Sequence, residues 1–135
     1  MPIQTKLKDE RGNTLATLAS PSCLTNWLFR CTDLTHTTCL RFINFYGDAI
    51  FNRAQMQVLS QELAAAATAL TDEAVDRAYQ QWLSGFENMD VSIRQEALRH
   101  PKPSKPALLS HIEALRAIID EGTKRHHRYL WFIGD

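Results

Sequence analysis

Asp48, Asn52 and Gln55 are the side chains in this 135-residue chain whose types and spacing first invite chemistry. They stand in FYGDAIFNRAQMQ, residues 45–57, where an aromatic and β-branched run meets Tyr-Gly-Asp and then changes to helical spacing. As a catalytic corner, Asp48 would serve as a general base or phosphate-side ligand, with Asn52 and Gln55 donating hydrogen bonds. That chemistry needs a His or a second carboxylate close by, and the neighbouring sequence has none. The same residues also have a structural reading, which the local sequence favours. Asn52 at an N-cap with Gln55 three residues later is a capping-box pattern. Gly47 frees the turn, and Asp48 can accept backbone N–H groups within it.

The other reactive side chains are dispersed. His126 and His127 lie in TKRHHR, residues 123–128. Adjacent histidines on an extended chain face opposite ways and chelate poorly. His36, His100 and His111 show no H-x-x-x-H or H-E-x-x-H spacing, so neither a metal nor a cofactor is expected. Lys124 and Arg125 form a basic cluster able to meet phosphates or an acidic protein, and they also suit a helix C-terminus. Cys23, Cys31 and Cys39 are spaced by eight and contain no C-x-x-C pair. Their odd number suits reduced thiols and a cytoplasmic address. No G-x-S-x-G, G-x-G-x-x-G or P-loop sequence occurs, which leaves no catalytic residue assigned and moves the weight toward a protein that works by presenting a surface.

Bulk properties agree. The formal charge is zero, from 15 basic and 15 acidic side chains, which argues against nucleic acid as the partner. Residues 71–99 carry a net of −3 and residues 100–135 a net of +2. Asp72, Asp76, Glu87 and Asp90 therefore make an acidic helical stretch that could dock a basic partner. The N-terminus lacks the apolar core of a signal peptide, and no run approaches the ~20 apolar residues of a membrane span. With 44% hydrophobic residues, the chain has material for one core and one domain.

The elements that must position these residues follow from periodicity. Ile3, Thr5 and Leu7 alternate into Gly12-Asn13, a tight turn with positive φ, so residues 3–20 predict a β-hairpin. Ser20 as N-cap and Pro21 at the first helical position open a short helix to residue 30. CLRFINFY, residues 39–46, is apolar on both faces and reads as a central strand ended by Gly47. Met56, Leu59, Leu63, Ala66 and Leu70 form one helical stripe. A further helix starts at Thr71, with Val75, Ala78 or Tyr79, Trp82, Phe86 and Met89 inward, and falters near Gly85 or Asn88. Residues 91–99 form a helical turn or two. HPKPSKP is an ordered loop. Ser104 caps a helix carrying Leu108, Ile112, Leu115 and Ile119, with Gly122 as its C′ residue. The chain closes on an apolar strand that buries Trp131 and Phe132. The reading is one α+β domain: an antiparallel or mixed sheet of about four strands against three or four helices.

FINFYGDAIFNRAQM resembles a pattern of small, functionally unassigned bacterial proteins, matched at Tyr46, Gly47, Asp48, Phe51, Asn52 and Gln55, with a closing strand like YLWFIGD. The resemblance implies a small bacterial cytosolic protein. By analogy with single-domain α+β proteins lacking catalytic motifs, it implies an immunity-type protein that neutralises a toxin domain by occluding its active site. Asp48, Asp72, Asp76, Glu87 and Asp90 are the expected contacts to a basic cleft, with Lys124 and Arg125 as basic counterparts. The alternatives are a small enzyme pairing Asp48 with His126 or His127, and a regulatory subunit that forms a homodimer through an exposed strand edge.

Overall fold

Period-two alternation builds the N-terminal hairpin. In a computed structural model that describes residues 3–43 and 46–134, β1 (Gln4–Asp9) and β2 (Thr14–Thr17) are antiparallel. Asp9 closes their turn by accepting the N–H groups of Arg11 and Asn13, each at 2.9 Å. Gly12 alone in this turn has positive φ, at 84°; Asn13, expected to share it, does not, because it is held by Asp9. α1 spans Cys23–Cys31. Ser22 rather than Ser20 precedes it, because the Ser20 hydroxyl is drawn away to His111.

α2 (Arg53–Ala69) starts on the full capping box of Asn52 and Gln55. Its buried face is Met56, Leu59, Leu63 and Ala66. α3 (Asp72–Ser84) begins with Thr71, whose hydroxyl accepts the Ala74 N–H, and ends at Gly85. α4 covers Val91–Arg99 and buries only Ala97. α5 (Lys105–Thr123) is capped by Ser104 and buries Leu108, Ile112, Leu115 and Ile119. Gly122 does not end this helix as C′. It lies inside the last turn and is buried, because a Cβ there would stand 2.8 Å from Met56 Sδ and 2.9 Å from Leu7 Cδ1. Both neighbours are fully buried, so glycine is what lets α5 approach β1 and α2.

β4 (Arg128–Ile133) runs between β1 and β3 (Asp48–Phe51), giving a four-stranded antiparallel sheet ordered β2-β1-β4-β3. The protein is thus a small single-domain α+β fold with, among the described residues, five α-helices. Ile3, Leu7, Leu130, Phe132, Ala49 and Phe51 are buried beneath the helix layer. Lys6, Lys8, Tyr129 and Trp131 alternate onto the outer face. Trp131, expected in the core, is only half-buried there, with Lys8 Nζ 4.4 Å from its ring centre. Phe132 is buried as expected. No helix of the described residues is long and apolar enough to cross a membrane.

His111 ties α5 to α1. It is fully buried, with Nδ1 2.6 Å from Ser20 Oγ and Nε2 2.8 Å from Thr25 Oγ1. Burial lowers its pKa from 6.5 to about 4. The unfolded chain therefore takes up a proton near pH 6.5 while the folded one does not. Stability is full above pH 6.5, falls as pH drops toward 4, and changes no further on this account below that. The loss reaches up to about 3 kcal/mol. Urea unfolding at pH 7 and pH 4.5 should show it, and His111→Gln should remove that part of the acid dependence.

Candidate functional site

Of the central strand expected at residues 39–46, the described residues 39–43 form no strand. Leu40–Phe42 is a single 3-10 turn, and residues 44 and 45 lie outside the described residues. The cause is a carboxylate from α2. Glu62 accepts the N–H of Leu40 at 2.7 Å and that of Cys39 at 3.1 and 3.2 Å, and also that of Thr38. These bonds curl residues 38–42 away from extended pairing. The strand starts only at Asp48, and it lies at the edge of the sheet.

That displacement creates a groove. It has a volume of about 600 Å³ and runs between β3 and the 3-10 turn, over the first turns of α2. Phe42, Ile50 and Val58 line it and remain 62%, 47% and 38% exposed. Among the lining residues Asp48 is the one charged group, and Gln55 and Thr38 are polar. Cys39 also lines the groove. Burial, then the nearby Glu62 carboxylate, raises its thiol pKa, which disfavours the nucleophilic thiolate.

The backbone of β3 adds directionality. Gly134 N–H donates to Gly47 C=O at 3.0 Å, and Ala49 and Phe51 sit opposite Phe132 and Leu130. Antiparallel pairs alternate between bonded and non-bonded, so Ala49 and Phe51 turn their N–H and C=O groups to β4. Asp48 and Ile50 turn theirs outward, where nothing among the described residues pairs with them. An uncovered edge of this kind is a template for another strand.

The sequence-predicted residues divide accordingly. Asn52 and Gln55 exchange hydrogen bonds of 2.9 Å each way, so their role is the structural one; of the two, Gln55 lines the groove. Asp48 is exposed and opens β3; its carboxylate accepts no turn N–H among the described residues. The enzyme alternative needs Asp48 beside His126 or His127, yet Asp48 pairs with Ile133 at the far end of β4 from those histidines. Five residue-to-residue steps separate the two ends of β4, on the order of 17 Å. His126 instead stands 3.2 Å from Arg53, and His127 3.6 Å from Glu10.

The acidic set does not converge. Asp76 is paired with Lys102, whose pKa it raises. Asp72 starts α3, while Glu87 lies beyond its end and, like Arg94, lines a small cleft against α4; a 13-residue helix separates Asp72 from Glu87, about 20 Å. Asp90 stands at the head of α4 with no side-chain cap bond. Lys124 bonds Glu121 at 2.6 Å and lowers its pKa, and Arg125 is exposed. No cluster of three or more metal-ligating side chains occurs among the described residues.

Glu62 is the residue that sequence reading missed. Its signal is its place on α2, within one turn of Leu59 and Ala66 on the buried stripe, where a carboxylate has to find donors. No protein-family model, curated protein or solved structure matches the chain.

Proposed function

We propose that this protein acts by binding a partner protein, an extended segment of which adds to the free edge of β3 and fills the groove beside it. The observation that carries the reading is the outward-facing backbone of Asp48 and Ile50 next to an open apolar groove. Strand addition takes its affinity from main-chain hydrogen bonds and its selectivity from pockets for alternate side chains, and β3 offers both. The resemblance through Tyr46-Gly47-Asp48 and Phe51-Asn52 adds the biological setting. The partner is a toxin domain, and the protein is an immunity-type inhibitor that occludes the toxin's active site in the bacterial cytoplasm. Asp72, Glu87, Asp90 and Arg125, which form no ion pair among the described residues, contribute longer-range steering.

A growth competition tests this. A strain lacking the gene should be killed on contact with wild-type siblings and rescued by a plasmid copy, whereas a copy carrying Ile50→Pro should not rescue. A deletion strain that competes on equal terms would contradict the immunity reading.

A further inference from the structure

We infer that the segment captured by β3 runs antiparallel to it and places a Lys or Arg directly opposite Asp48, one residue after an apolar side chain that enters the groove. The inference rests on the strand-addition reading. Asp48 and Ile50 each present one N–H and one C=O outward, and in antiparallel pairing a single partner residue exchanges both bonds with each of them. Partner residues opposite Ala49 and Phe51 then point toward the helix layer, into the groove formed by Phe42, Ala54 and Val58. The wall there is apolar, so those side chains are apolar.

Residues opposite Ile50 and Asp48 point to the outer face. Ile50 lies beside Trp131 and Lys6 in register, and an apolar partner residue extends that row. Asp48 lies in the row of Ile133 and Gln4, which contains no cation. Its carboxylate is exposed on that outer face. Directly opposed side chains in such a pair have Cβ atoms about 5 Å apart, where opposite charges attract and like charges repel. From N to C the captured segment therefore reads apolar, apolar, apolar, then Lys or Arg.

Two blocked peptides test this on the full chain: acetyl-Ser-Val-Ile-Val-Lys-Ser-amide and its counterpart with Glu in place of Lys, titrated against backbone amide shifts. The Lys peptide should bind about five- to tenfold more tightly at low salt, and the gap should narrow at high salt. Asp48→Asn should level the two peptides, and Asp48→Lys should reverse the preference, with the amide spectrum confirming that each variant folds. Equal affinities for the wild type, or an unchanged preference in Asp48→Lys, would overturn the inference and leave strand addition standing. If neither peptide shifts a β3 amide at millimolar concentration, strand addition at this edge is itself overturned.

Discussion

Replacing Glu62 with alanine is expected to destabilise the protein by about 2–3 kcal/mol, a fall in melting temperature of about 5–10 °C for a chain of this size. The carboxylate accepts three consecutive backbone N–H groups, from Thr38, Cys39 and Leu40. Bonds to an ionised acceptor are the strong class. Without it those donors must find water, and the 3-10 turn loses what holds it against α2. Phe42 then loses its place as the far wall of the groove, so partner binding falls as well as stability. Glu62→Gln keeps one carbonyl oxygen and should lose about half as much. Thermal and urea denaturation measure both, and a change below about 0.5 kcal/mol for Glu62→Ala would show that the turn is held by something else.

Two prolines at neighbouring positions of β3 should behave oppositely. Ala49→Pro removes an N–H that bonds β4 and should cost about 3 kcal/mol or more. Ile50→Pro removes an N–H that faces the open edge, where proline is tolerated, and should cost about 1 kcal/mol or less. Yet Ile50→Pro is the variant that should abolish partner capture, since it deletes an outward donor and puts a ring in the path of the added strand. Urea unfolding of both variants, with the growth competition for Ile50→Pro, gives the full comparison. Equal destabilisation by the two would contradict the bonded register deduced from the Gly134–Gly47 hydrogen bond.

Local chemistry was legible in the sequence. The Asn52–Gln55 box, the helix start at Thr71, the Ser104 cap, the stripe of Met56, Leu59 and Leu63 and the β1–β2 turn each depend on residues within one or two turns of each other. CLRFINFY misled because an apolar run satisfies a strand pattern and a packed turn equally well. The choice was made by Glu62, more than twenty residues away. Gly122 misled for a related reason: end-of-helix rules treat glycine as a terminator, while here the approach of Met56 and Leu7 requires it. Asp48 was legible as a candidate, but its setting was not. That β3 is an edge follows from strand order, and the groove wall draws on Phe42 and Val58 from separate elements. Long-range pairing of this kind leaves no mark in local periodicity.

The measurement that tests the central claim most directly is amide hydrogen exchange along β3, in the free protein and with its partner or the Lys peptide bound. In the free protein, Ala49 and Phe51 should be protected while Asp48 and Ile50 exchange readily. On binding, Asp48 and Ile50 should become protected too, so that the alternation disappears. If Asp48 and Ile50 stay unprotected in a saturated complex, or are already protected in the free chain, the edge of β3 is not the surface on which this protein works.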